Sequence, residues 1–244
     1  EVGLGGRLDA TNVLKPLVSV ITNIGLEHTA YLGRTLAAIA GEKAGIIGKN
    51  GVCVTAAKQK QVIGVLKDVC AERRARLYRL GVDDQITVHR DGSATYTGRR
   101  GSLVRLTVPL RGRHQLSNLG LALAVTEILE EKGYPAGEAA VRRGLARTRW
   151  EARLETLCTH PLFLLDGAHN PAGIAALSFA LKHDFPGRRV ILIFSALADK
   201  NYRRMLDKMW TLADRIFLPP LATSRSVLPR ELADYLQSRG RTAH

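Results

Sequence analysis

The stretch Phe163-Leu-Leu-Asp166-Gly-Ala-His169-Asn170-Pro171 decides the architecture. An apolar run of strand length ends on a carboxylate, and a turn then delivers Asn170 as a helix N-cap with Pro171 at the first helical position. The same strand-to-helix unit recurs downstream. Arg189 to Phe194 reads as a strand followed by a helix from Asn201, and Arg215 to Leu218 as a strand followed by a helix from Pro229. Repeated βα units imply a parallel sheet with helices on its faces, so the expected class is α/β. Ligands of open α/β sheets bind at the carboxyl ends of the strands. Here that place holds Asp166, His169 and a helix N-terminus, which suits a phosphorylated ligand. A well-capped turn alone accounts for Asn170 and Pro171, but not for Asp166 and His169.

Working back toward the N-terminus, Val18 to Thr22 reads as a buried strand entering the loop Asn23 to Thr29. Thr35 is placed to cap a helix through Leu36, Ile39 and Lys43. Val52 to Ala56 is a second apolar strand, and Leu77 to Leu80 a short third one. Between them Val62, Ile63, Leu66 and Val69 recur at helical spacing within Gln59 to Ala75. Gln85 to Tyr96 alternates apolar and polar residues around Asp91-Gly92, a hairpin signal, and Leu103 to Leu110 continues the antiparallel section. Asn118 to Lys132 reads as a helix closed by Gly133, and Pro135 to Arg147 as another. From Arg147 to Glu155 the chain turns basic and irregular around Trp150. The expected domains are therefore 1–147 and 148–244.

Composition limits the function classes. The chain has 244 residues, 45% of them hydrophobic, enough for a sizeable core. No run of about 18 apolar residues suggests a membrane span. The three cysteines, Cys53, Cys70 and Cys158, are scattered and odd in number, which fits a reducing cytoplasm better than a disulfide framework. The net charge of +14 attracts polyanions, from nucleic acid to phosphorylated or acidic small molecules. The basic clusters lack interleaved aromatics, which make up only 5% of the chain, so a base-stacking surface is not expected.

The N-terminal segment Glu1-Val-Gly-Leu-Gly-Gly-Arg-Leu-Asp-Ala-Thr-Asn12, with Gly25-Leu-Glu-His28-Thr and Glu42-Lys43-Ala-Gly45, sets a carboxylate, a histidine and a lysine among glycines. Mg²⁺ prefers oxygen ligands, which makes Glu1 an easy candidate and His28 a less typical one. Lys43 taken alone reads as a surface lysine near a helix C-terminus. Gly45-Ile-Ile-Gly48-Lys49-Asn50 imitates a phosphate-binding loop without its spacing, since Gly-x4-Gly-Lys-Ser/Thr occurs nowhere in the chain. Gly3-Leu-Gly-Gly6 likewise lacks the third glycine of a dinucleotide fingerprint.

These blocks, with Gly112-Arg-His-Gln115, Trp150-Glu-Ala-Arg153-Leu-Glu155, Asp166-Gly-Ala-His-Asn-Pro171 and Leu197-Ala-Asp-Lys200, resemble in order the folylpolyglutamate synthase/dihydrofolate synthase family, a branch of the Mur ligase superfamily. The resemblance implies a partial P-loop-type central α/β domain followed by a smaller Rossmann-like α/β domain. It implies a ligase that uses ATP and Mg²⁺ to join L-glutamate to dihydropteroate or a reduced folate through an acyl phosphate. Glu1 and His28 correspond to the Mg²⁺ ligands, and Lys43 to a lysine that is carbamylated by CO₂. Leu8, Asp9 and Ala10 correspond to the pterin site, Asn118, Arg153 and Asp166 to ATP contacts, and His169 to a histidine near the acyl phosphate. A monomer acting on small molecules, away from nucleic acid and membranes, is implied.

Three positions depart from the family pattern. Glu27 stands where aspartate is more usual, Glu151-Ala152 where Pro-Gly is usual, and Ser195 where glycine is frequent. The family's P-loop and a serine Mg²⁺ ligand lie upstream of the point corresponding to Glu1, and Arg241-Thr-Ala-His244 corresponds to a point short of the family's final elements. A partial chain, inactive when isolated, is therefore the expectation. Two other readings stand beside it. One is another Mur-type ligase acting on a cell-wall or polymer precursor. The other is a degenerate, non-catalytic basic binding protein.

Overall fold

A computed structural model describes residues 1–242; the last two residues of the expected C-terminal domain lie outside them. The chain divides into two compact units. The first comprises Glu1–Pro109 and His114–Arg149, and the second comprises Leu110–Arg113 together with the chain from Trp150 onward.

In the first unit, β1 (Ser19–Ile21), β2 (Val52–Thr55) and β3 (Arg76–Arg79) form a parallel sheet in that order. The connections are helical. α1 (Thr29–Leu32) and α2 (Leu36–Ala44) join β1 to β2, and α3 (Lys60–Glu72) joins β2 to β3. Thr35 caps α2 as its position suggests, its hydroxyl accepting from Ala38 N at 3.1 Å. The middle strand β2 is buried on both faces, and its alternation splits the core. Cys53 packs with Ile39, Val62 and Leu66 of α2 and α3. Val52 and Val54 face the other way, onto Leu121, Ala124 and Ile128 of α4 (Arg113–Glu131). Gly120 permits this approach, since a Cβ there would stand 2.7 Å from Leu80 Cδ1.

α4 starts five residues before the expected Asn118, at Arg113, and its other face carries Leu119 and Leu123 into a second core. That core lies under the antiparallel sheet of β4 (Gln85–Val88), β5 (Ala94–Gly98) and β6 (Gly101–Leu106). Asp91-Gly92 turns the β4–β5 hairpin, with Asp91 Oδ1 accepting from Ser93 N at 2.9 Å. A polar knot ties this sheet to α4. Tyr96 Oη lies 3.2 Å from both Asp84 Oδ1 and Glu127 Oε2, and Arg99 spans Asp84 at 3.2 Å and Glu127 at 3.5 Å. Burial pushes the Tyr96 and Asp84 pKa values up; for Asp84 it outweighs the opposing pull of Arg99. α5 (Glu138–Arg147) lies on the outside, touching this second core through Val141 and Leu145.

The second unit opens with a hairpin of β7 (Glu155–Thr159) and β8 (Leu162–Leu165). β8 was expected to join the parallel sheet, yet its described partner is the antiparallel β7. The mostly exposed β7 carries no buried apolar row, so its pattern does not announce a strand. Beyond the hairpin come α6 (Pro171–Asp184), β9 (Ile191–Ile193), α7 (Tyr202–Met209), β10 (Arg215–Phe217) and α8 (Pro229–Ser238), and β9 and β10 pair in parallel. Their core gathers Phe194, Met205, Leu206, Met209, Ile216 and Leu232. Among the described residues no helix is long and apolar enough to cross a membrane.

Candidate functional site

In the first unit the Gly3–Asn12 loop is organised by one carboxylate. Asp9 accepts from Thr11 through Oδ1, at 2.7 Å from the hydroxyl and 3.0 Å from the amide. Through Oδ2 it accepts from the amides of Leu4 at 3.0 Å and Gly3 at 2.8 Å. The Thr11 hydroxyl and the surrounding amides hold its carboxyl well below the usual carboxylate range. The Asp9 carboxylate thus shapes its own loop, while the neighbouring Leu8 is 82% exposed and Ala10 opens a 3₁₀ turn through Val13.

This loop lies on the last turn of α2. Arg7 N donates to Glu42 O at 2.8 Å, and the Arg7 guanidinium bonds the Glu42 carboxylate at 2.8 Å. Gly6 abuts the carbonyls of Glu42 and Lys43, where a Cβ would sit 2.9 and 3.0 Å away. Gly5 abuts Leu32 of α1. The segments that carry Glu1, His28 and Lys43 therefore meet around Gly5 and Gly6.

His28 has left-handed backbone (φ 50) at the start of α1, and its carbonyl accepts from Tyr31 N and Leu32 N, each at 2.9 Å. Its ring makes no capping bond and is exposed, as is Glu1. The loop before it is pinned to the start of α3 by Gln59, whose Nε2 donates to Ile24 O at 2.9 Å. Lys43 is half-buried in the last turn of α2. The Gly45–Asn50 stretch leads from α2 to β2, helix to strand, which is the reverse of a phosphate-binding loop's order. Asn118 is exposed on α4, its Nδ2 donating to Gln115 Oε1 at 2.9 Å.

The second unit assembles Arg153, Asp166 and His169 at the head of α6. Asp166 Oδ2 accepts from Leu154 N at 2.8 Å, and Oδ1 from Ala168 N at 2.9 Å. Gly167 N donates to Ala152 O at 2.8 Å, and a Cβ on Gly167 would stand 2.9 Å from the Arg153 guanidinium. These bonds hold the exposed Arg153 beside the turn. His169 Nδ1 lies 2.9 Å from Gly167 O. A carbonyl only accepts, so Nδ1 carries the proton of the neutral ring and Nε2 keeps its lone pair toward solvent. Asn170 Oδ1 caps α6 by accepting from Gly173 N at 2.7 Å. Further along the chain, Asp199 pairs with Lys200 at 3.1 Å and Arg225 at 3.2 Å, and Lys200 lowers the Asp199 pKa.

The model of the Mur ligase middle domain matches residues 1–126, and that of the Mur ligase glutamate ligase domain matches residues 152–244. The chain belongs to the Mur ligase family. The chain is 36% identical over 242 residues to the dihydrofolate synthase/folylpolyglutamate synthase of Bacillus subtilis, covering 96% of the chain and 56% of that protein. It is also 36% identical to the folylpolyglutamate synthase of Lacticaseibacillus casei, covering 94% and 54%. The Mycobacterium tuberculosis folylpolyglutamate synthase complexed with ADP superposes with a TM-score of 0.88 at 33% identity, over 98% of the chain and 55% of that structure. The E. coli FolC in complex with DHPP and ADP gives 0.88 at 30% identity, over 100% and 56%. The chain spans about half the length of the curated relatives it matches.

Two features of the chain escape motif reading. The pairing of Arg7 with Glu42 joins residues 35 apart, and its only sequence trace is the set of small residues, Gly6 and Gly45, that flank it. The support of the Ile24 loop by Gln59 leaves no trace at all.

Proposed function

We propose that this Mur ligase is an ATP-dependent carboxylate–amine ligase that joins L-glutamate to dihydropteroate, to reduced folates, or to both. The γ-phosphoryl group of ATP passes to the acceptor carboxylate, giving an acyl phosphate and ADP. The glutamate amine then attacks the acyl carbon, phosphate leaves, and the amine's surplus proton passes to a base. Phosphoryl transfer of this kind depends mainly on positioning and charge neutralisation.

The observation that carries this reading is the coupling of Arg153 to Asp166 at the head of α6, in a chain similar nearly end to end to folylpolyglutamate synthases. Arg153 offers a planar fork suited to phosphate oxygens. Asp166 holds the backbone next to Arg153 through Leu154 N, and Asn118 and Asp166 are the proposed ATP contacts in their own units. His169 presents Nε2 as an acceptor for the amine proton. Leu8, Asp9 and Ala10 would form part of the pterin site, where Asp9 acts by shaping the loop and Leu8 supplies exposed apolar surface.

Glu1 and His28 fit a Mg²⁺ site in chemistry, because among the described residues neither side chain is taken up by a protein hydrogen bond. Among the described residues no three His, Cys, Asp or Glu side chains cluster as a complete cage. Mg²⁺ commonly keeps waters and substrate phosphates as its other ligands, and when bound it would neutralise phosphate charge. Lys43, carbamylated, would add a carboxylate-like oxygen. A cytoplasmic monomer acting on these small molecules completes the proposal.

The deciding experiment supplies the intact protein with ATP, Mg²⁺, L-glutamate and dihydropteroate, and in parallel tetrahydrofolate. Product mass and phosphate release are the readouts. A glutamate adduct formed with stoichiometric phosphate supports the reading. Turnover only with a UDP-sugar peptide acceptor would replace it with another Mur-type activity, and no turnover with any acceptor would favour a non-catalytic protein.

A further inference from the structure

We propose that Arg7 and Glu42 form a positioning pair that sets the Gly3–Asn12 loop against the end of α2, and so places the acceptor substrate relative to Lys43. The inference rests on the proposed ligase reading and assigns roles to two residues that do not touch substrate in it.

The pair is built to fix a register. Arg7 Nε bonds both Glu42 oxygens, at 3.2 and 3.3 Å, its terminal nitrogen bonds Oε1 at 2.8 Å, and its backbone N bonds Glu42 O at 2.8 Å. One arginine thus holds one glutamate through side chain and main chain together. A planar guanidinium on a carboxylate defines direction as well as distance. Glycines let the two backbones close on each other. A Cβ on Gly45 would lie 2.3 Å from Arg7 Cα, and one on Gly6 would lie 2.9 Å from Glu42 O.

The anchor moves the whole loop because the loop is stiff. Asp9 gathers Gly3, Leu4 and Thr11, and Asn12 Nδ2 donates to Arg7 O at 3.0 Å. Leu8 and Asp9 follow Arg7 directly, and Lys43 follows Glu42 directly. The pair, with the main-chain bond from Arg7 N to Glu42 O, therefore links the residue preceding the proposed pterin residues to the residue preceding the proposed carbamylation site. Its ions are partly solvated, with side-chain exposures of 56% for Arg7 and 26% for Glu42. Exposed pairs contribute little to global stability, so the effect belongs in substrate placement rather than in unfolding.

The test compares Arg7→Met, Arg7→Lys, Glu42→Gln and the exchanged double variant Arg7→Glu/Glu42→Arg in the intact protein. Arg7→Met is expected to raise KM for dihydropteroate on the order of 10–100-fold, the scale of ångström-level misplacement. The KM for ATP should move by less than about twofold, the signature of a separate binding step. The exchanged variant should recover part of the loss, and Arg7→Lys should fall between. A second readout is independent of turnover: the amides of Leu4, Arg7 and Thr11 should exchange hydrogen faster in Arg7→Met and Glu42→Gln. Unchanged acceptor KM with unchanged amide exchange overturns the pair. Equal rises in KM for all three substrates also overturn it. If the wild-type protein ligates nothing to pteroates, the ligase reading fails, and the exchange measurement still decides whether the pair fixes the loop.

Discussion

Leu154 N donates to Asp166 Oδ2 at 2.8 Å, joining two residues twelve apart in sequence and fixing the turn that carries Arg153. The other oxygen of Asp166 is committed to Ala168 N, so this carboxylate works on the backbone from both sides. Replacing it removes two acceptors from part-buried amides. Asp166→Ala should cost about 1–3 kcal/mol, the range for orphaned buried donors, and should raise KM for ATP as Arg153 loses its fixed place. Asp166→Asn keeps one acceptor oxygen and should lose less on both counts. Urea unfolding and steady-state kinetics check this; an unshifted unfolding midpoint for Asp166→Ala would refute it.

Ala152 lies in the left-handed region with φ 52. A side-chain Cβ there crowds the following carbonyl, at a cost of about 1–2 kcal/mol that glycine avoids. Ala152→Gly should therefore stabilise by about 1 kcal/mol or slightly less, after the extra freedom glycine gives the unfolded chain. Its carbonyl bond from Gly167 N, 2.8 Å long, needs no side chain and should persist. Thermal unfolding decides the sign, and a lowered melting temperature would contradict the strain argument.

Gly45 touches Arg7 so closely that a Cβ would come within 2.3 Å of Arg7 Cα. Backbone on both sides cannot yield as a flexible side chain can. Gly45→Ala should push the Gly3–Asn12 loop off α2 and cost about 1–3 kcal/mol, as overpacking does. Gly41, inside α2 with open space around it, is the control for Gly45 at the helix's C-cap. Its alanine variant should be neutral or slightly stabilising, as expected for glycine replaced within a helix. Equal effects at the two positions would show that space, as opposed to helix propensity, is irrelevant here.

Asp9 predicts a pH dependence with a definite sign. Its folded pKa is depressed, chiefly by the Thr11 hydroxyl and the amide of Leu4, below the ordinary value of 3.8. A group depressed on folding contributes stability above its unfolded pKa and loses that contribution as pH falls through the folded value. Loop order should thus hold at neutral pH and weaken only below about pH 4, near the ordinary pKa of an aspartate carboxyl. Amide exchange of Gly3, Leu4 and Thr11 followed from neutral to acid pH measures it. Asp9→Asn should flatten that profile, and a wild-type loop already loosening near neutrality would disprove the assignment.

Much of the fold was legible because local rules and tertiary structure agree. Thr35 and Asn170 sit at caps with their oxygens bonded as their residue types require. Asp91-Gly92 turns a hairpin, and β2 is a strand buried on both faces, as its unbroken apolar run suggests. The site was legible in parts. Asp166 and His169 share one turn, a matter of short spacing, whereas Arg153 is brought beside them by the β7–β8 hairpin and the bond from Leu154 N to Asp166 Oδ2. The role of Asp9 was not legible. A carboxylate that gathers its own loop's amides cannot be told in sequence from one that awaits a ligand. β7 and the first turn of α4 escaped notice for the opposite reason, since neither displays the periodic apolar pattern from which elements are read.

The order of residues along the chain was enough for the α/β class, the capped turn from Asp166 to Pro171, and the likeness to a ligase family. Those properties are written in caps, periodicity and motifs, all of which act over a few residues. Three-dimensional packing settled which distant segments touch: Arg7 on Glu42, Gln59 under the Ile24 loop, β8 beside β7 instead of in the parallel sheet. Such pairings depend on how helices and strands close over a shared core, and no local propensity specifies a partner 35 residues away.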